Sequence, residues 1–108
     1  MPYIPDRGDI VWLTLDPQAG HEHAGRRPAL VISPEAYNRK LGLALFCPIT
    51  SRKKGYPFEV EMSGGDITGV ALADQIRNLD WKARRAEFAE KTDPKIVADV
   101  RAKLKTLI

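Results

Sequence analysis

The chain has 108 residues, 44% apolar and 29% charged, with a net charge of +3. That length suits one domain, residues 1–108, around one modest core, and no apolar run approaches the ~18 residues of a membrane span. The mild basic excess admits a polyanionic partner without requiring one. The single cysteine, Cys47, excludes an intrachain disulfide and lies in an apolar run, as a small buried hydrophobe would. With no basic-then-apolar leader pattern at the N-terminus, the expected compartment is the reducing cytoplasm.

Pro2 and Pro5 predict an extended lead-in over 3–7. Gly8 and Asp9 open a strand over 10–15, rich in β-branched and apolar residues, which Asp16 and Pro17 end. A polar loop, 18–27, separates it from a short buried strand at 28–32. Ser33, Pro34 and Glu35 have the chemistry of a helix start: serine to cap, proline at the first helical position, glutamate at the positive end of the dipole. Gly42 stops this helix within about two turns.

Residues 43–49 predict a central strand in which Pro48 requires an edge or a bulge. A basic loop, 50–56, follows. Phe58, Val60 and Met62 alternate with Glu59 and Glu61, the period of a half-buried strand. After a turn at 63–66, a strand over 69–77 ends in Asp74, Gln75 and Arg77. Asp80 is placed to cap one helical turn containing Trp81, and 87–91 reads as an edge strand. Asp93 and Pro94 begin the clearest helix, whose apolar stripe is Ile96, Val97, Val100, Leu104, Leu107 and Ile108. Five or six short strands and a closing helix predict a mainly β (α+β) fold, a small antiparallel barrel or rolled sheet.

The densest chemistry lies in residues 20–28. Two glycines there bracket His21, Glu22 and His23, and Arg26, Arg27 and Pro28 follow. Two histidines in the whole chain and a lone cysteine in an apolar strand are too few for a zinc site with three or four protein ligands, so no metal or other cofactor is expected. Neither a nucleophile triad nor a phosphate-binding glycine loop is present. A phosphate-centred reaction needs neither. In RNA cleavage the ribose 2′-hydroxyl is the nucleophile, and the protein stabilises the phosphorane and moves two protons. Arginine suits the first task, histidine or glutamate the second. From these residues alone, an ion pair of Glu22 with Arg27 that merely pins the loop is the favoured reading.

The sequence resembles the MazF/PemK-type toxins of bacterial type II toxin–antitoxin systems. The likeness runs through Pro5-Asp6-Arg7-Gly8-Asp9, the 20–28 loop, Ser33-Pro34, Tyr37-Asn38 and Pro48-Ile49-Thr50-Ser51. It continues through Lys54-Gly55-Tyr56-Pro57-Phe58-Glu59-Val60, Gly69-Val70-Ala71-Leu72-Ala73-Asp74-Gln75 and Asp80-Trp81-Lys82-Ala83-Arg84. It fades only in the last helix, and the MazF branch matches best.

The resemblance implies an SH3-like barrel of the MazF/PemK/CcdB type with a C-terminal helix, assembled as a homodimer. It implies a metal-independent endoribonuclease that cuts single-stranded mRNA at short motifs, leaving 2′,3′-cyclic phosphate and 5′-hydroxyl ends. A MazE-like cognate antitoxin would occupy the substrate groove, and no membrane is involved. Residue by residue, the resemblance makes Arg27, Glu22, Thr50 and His21 the catalytic candidates. Gln75, Arg77 and Arg84 match groove positions, and His23, Arg26, Ser51 and Lys54 stand beside them as RNA-binding candidates. Leu72 stands where the PemK branch has a functional arginine. A gyrase poison of the same fold and a non-catalytic SH3-like binding module are the alternatives. The first relies on a C-terminal Trp-Gly-Ile tail that Lys105-Thr106-Leu107-Ile108 lacks.

Overall fold

The computed structural model describes residues 2–15 and 26–108. Among them are strands β1 (Asp9–Thr14), β2 (Arg26–Val31), β3 (Leu43–Thr50), β4 (Glu59–Met62), β5 (Gly69–Leu72), β6 (Arg77–Asp80) and β7 (Glu87–Lys91). Helix α1 (Glu35–Leu41) joins β2 to β3, and α2 (Pro94–Lys105) follows β7. The strands form one curled antiparallel sheet in the order β4-β5-β3-β2-β1-β7, with β6 also beside β3. This is the mainly β architecture that the strand count predicts, with seven strands where five or six were expected. The strand ends at Asp16 and Pro17 and the loop after them lie outside the described residues.

Apolar residues occupy both faces of the central strands. Ile10, Leu30, Cys47 and Ile49 point to one face, where Val60, Met62 and the α2 residues Ile96, Val97 and Val100 complete a buried cluster. Their neighbours Val11, Leu13, Ala29, Val31, Ala44 and Phe46 point to the other, packed by Leu79 and Trp81. Near-continuous apolar runs in β1, β2 and β3 are therefore a consequence of two-sided burial.

The structure corrects four expectations. Ser33 does not cap α1. Extended Pro34 holds the cap position without a side-chain bond, and the Ser33 hydroxyl donates to Asn38 Oδ1 while accepting from Leu45 N. The Asn38 amide, fully buried, donates in turn to the carbonyls of Pro5 and Ser33, so this cluster ties the lead-in, α1 and β3 together. Pro48 sits neither at an edge nor at a bulge. β3 is a central strand that pairs with β6 up to Phe46 and with β5 from Ile49, and Pro48 falls in the gap where one neighbour gives way to the other.

The strand expected over 69–77 is broken by a 3-10 turn, Ala73–Gln75, which lets Arg77 begin a separate strand. Asp80 caps the single turn containing Trp81 as predicted: its side chain accepts from Ala83 N and its carbonyl from Arg84 N, and Arg85 at φ 57° closes residues 81–85. The α2 stripe ends early: Asp93 caps the helix through Lys95 N as predicted, yet Leu107 and Ile108 are 53% and 90% exposed.

Candidate functional site

Register fixes which polar residues can meet. Side chains alternate across a strand, so in β2 Arg27 shares a face with Ala29 and Val31, and in β3 Thr50 shares that same face with Ala44 and Phe46. Ala29 pairs with Pro48, and the same antiparallel register continued two residues sets Arg27 opposite Thr50. Arg77 pairs with Phe46 and also belongs to this face. Residues far apart in sequence, Arg27, Thr50 and Arg77, thus emerge on one side of the sheet.

Beside them opens a cleft of about 580 Å³. Thr50 and Leu72 form its floor, Asp74 and Gln75 of the 3-10 turn one wall, and Arg52, Lys54, Tyr56 and Glu59 the other. β5 can lie this close only because Gly69 has no side chain: at φ 112°, a Cβ there would run into the Thr50 carbonyl.

Thr50 Oγ1 accepts from Arg52 N at 3.1 Å, which uses a lone pair and leaves its hydroxyl hydrogen to donate. The Tyr56 hydroxyl donates to Asp74 Oδ1 at 2.8 Å, bridging the two walls. Partial burial, then that bond and the Asp74 charge, hold the Tyr56 phenol above its ordinary value. Glu59 accepts from two backbone amides, Lys54 N at 2.7 Å and Gly55 N at 2.8 Å. Outside the cleft, the hydrogen bond and charge of Glu61 raise the Lys53 ammonium.

The sequence candidates divide into three sets. Arg27, Thr50, Lys54, Gln75 and Arg77 come to the cleft or to the face that carries it, and Ser51, exposed, follows Thr50 in the chain without lining the cleft. Arg26 and Arg84 do not join them. Arg26 faces the other way and donates to Thr14 Oγ1 and to the carbonyls of Arg84 and Arg85, with Glu87 as its ion partner. Arg84 donates to the carbonyls of Thr14 and Leu15. Both guanidinium groups tie the end of β1 to the 81–85 turn. His21, Glu22 and His23 lie outside the described residues.

Sequence reasoning did not single out Tyr56, Glu59 or Asp74 as a bonded set. The period-two pattern of β4 marks Glu59 as outward-facing, but the loop that folds back onto it leaves no such trace. Among the described residues no three of His, Cys, Asp or Glu converge as a metal site would require, and no helix is long and apolar enough to cross a membrane.

Residues 6–108 match the family model described as PemK-like, MazF-like toxin of type II toxin–antitoxin system. The chain is 47% identical over 106 residues to the endoribonuclease toxin MazF of Escherichia coli K12, covering 98% of this chain and 96% of that protein. It is 37% identical to the endoribonuclease PemK of Escherichia coli, covering 95% and 81%. Crystallised MazF from Deinococcus radiodurans superposes with a TM-score of 0.89 at 54% identity, over 98% of this chain and 97% of that one. A MazE–MazF complex from the same organism gives 0.87 at 48% identity, over 98% and 96%. The fold, the near-complete coverage and the two-sided sheet agree on one conclusion: the chain belongs to the PemK-like, MazF-like toxin family of type II toxin–antitoxin systems.

Proposed function

We propose that the chain is the toxin of such a pair: a metal-independent endoribonuclease that cuts single-stranded mRNA at short sequences in the cytoplasm. It works as a homodimer and is silenced by a MazE-like antitoxin lying in the same cleft. The observation that carries this reading is that Arg27, by the β2–β3 register, shares a sheet face with Thr50, which lines a cleft rimmed by Arg52 and Lys54. Relatives named as endoribonucleases, and a MazF seen with MazE, support it.

In the reaction the ribose 2′-oxygen attacks the adjacent phosphorus, and the bond from phosphorus to the 5′-oxygen breaks. The products are a 2′,3′-cyclic phosphate and a 5′-hydroxyl. Arg27 offers a planar, permanently charged fork to the phosphorane oxygens, and Thr50 donates its hydroxyl hydrogen to the same group. Glu22 or His21 takes the 2′-hydroxyl proton, and the departing 5′-oxygen gains its proton from water or from that protonated base. Tyr56 gives an unpaired base a ring to stack on, while Lys54, Gln75 and Arg77 follow the strand. Arg26 and Arg84, whose guanidinium donors are engaged within the protein, tie the end of β1 to the 81–85 turn and leave contact with RNA to the other cations.

Purified protein incubated with a long single-stranded RNA in EDTA tests this. Discrete fragments with 5′-hydroxyl ends are expected, and Arg27→Ala should lower their yield by a factor of ~100 or more, the scale of losing one charge-stabilising donor. Circular dichroism should be unchanged, since Arg27 is exposed. Intact RNA with the parent protein refutes the ribonuclease reading, and more than a few per cent residual activity in the variant refutes the role of Arg27.

A further inference from the structure

Glu59 is a carboxylate in a cleft read as a site for a polyanion, which on charge alone is a liability. Its geometry gives it another use. It stands at the start of β4, on the rigid sheet, and both its oxygens are taken by backbone amides of the rim loop: Lys54 N on Oε2, Gly55 N on Oε1. Gly55 sits at φ 83°, a left-handed conformation that presents two successive N–H groups to one carboxylate. Tyr56 to Asp74 and Lys53 to Glu61 act through side chains alone, and Thr50 takes a single main-chain amide, Arg52 N, where the loop begins. Glu59 holds the main chain.

We propose that Glu59 is a positioning residue, which clamps the rim loop so that Lys54 and Tyr56 meet the RNA in one fixed geometry and thereby sets which sequences are cut. The inference rests on the cleft being the RNA site.

It makes a prediction opposite in sign to simple electrostatics. Removing a negative charge beside a polyanion should tighten binding. Glu59→Gln keeps the shape but replaces one acceptor by an NH₂ that cannot accept from an amide, so the clamp opens. KM for a defined RNA should then rise about tenfold, the scale of one lost charge-assisted hydrogen bond, with kcat within twofold of the parent. The fragment ends on a long RNA should spread to sequences the parent leaves intact. Gly55→Ala approaches the same loop from its other side. An added Cβ meets no atom within 4 Å, yet φ 83° is strained for alanine, so the loop must shift while Glu59 is untouched. It should reproduce the raised KM and the broader ends, and it decides the matter if Glu59→Gln does not fold. Glu35→Gln, on α1 and outside the cleft, should leave both unchanged.

The parent protein is assayed first, because absence of cleavage there refutes the RNA reading itself. With an active parent, an unchanged or lower KM in Glu59→Gln and unchanged fragment ends in both variants overturn the clamp.

Discussion

Two groups outside the cleft, half-buried Tyr3 and buried Cys47, set how the fold responds to base. Burial, then the hydrogen bond to the Asp9 carboxylate, raises the Tyr3 phenol above its ordinary value near 10. Burial, then the charge of Asp74, raises the Cys47 thiol from near 9 to about 12. Both groups are neutral when protonated, and folding favours that form. Their contribution is therefore complete below the unfolded values and is lost as pH climbs toward the folded ones. The melting midpoint should fall above pH ~9, with Cys47→Ala flattening the first part of that decline and Tyr3→Phe the part above pH ~10. Parallel declines in parent and variants would rule these groups out. Burial of Cys47 was legible, since it stands in an apolar strand. The Tyr3 bond was not, because it depends on how an extended lead-in crosses a strand six residues on. Ser33 teaches the same lesson: a hydroxyl before Pro34 has cap chemistry, but β3 supplied a competing backbone amide that no local pattern reveals.

At the scale of elements, period and punctuation carried most of the fold. Alternation in β4, the αL glycine Gly42 after α1, and the Asp93-Pro94 start of α2 all stand where their chemistry predicts. Ends and interruptions were harder. The apolar run from Gly69 looks continuous, yet Ala73–Gln75 turn out of the sheet, which frees Asp74 and Gln75 to wall the cleft. Helix α2 is the reverse case, with a stripe that outlasts its packing. Val100 is fully buried against the β4 and β5 side chains of its cluster, whereas Leu107 lies beyond the helix and half exposed. Val100→Ala removes two buried methyl-sized groups and should cost about 2 kcal/mol by urea unfolding. Leu107→Ala should stay within ~0.5 kcal/mol. Equal costs would mean that the tail packs like the helix.

For the molecule as a whole, the question is which of its many cations meet a substrate. The net charge of +3 and the paired arginines Arg26-Arg27 and Arg84-Arg85 are visible in the sequence, but their division of labour is not. Adjacent residues in a strand face opposite sides, so one partner of the first pair reaches the cleft face and the other is consumed by carbonyls. Sorted by face, Arg27, Arg52, Lys54 and Arg77 are the cations that the proposed RNA site would use to neutralise phosphates. Single-stranded nucleic acid releases about 0.7 counterions per phosphate neutralised, so affinity should fall with a log–log salt slope of about −3 per protomer. A 2′-O-methyl RNA, which has no free 2′-hydroxyl to attack, lets this be measured without cleavage. Arg77→Ala should bring the slope to about −2. Arg84→Ala should leave the slope as it is and lower the melting midpoint instead, because the carbonyls of Thr14 and Leu15 lose their donor. If Arg84→Ala reduces the slope as much as Arg77→Ala, this sorting of the cations fails, since a guanidinium bonded to the main chain would then be neutralising phosphate.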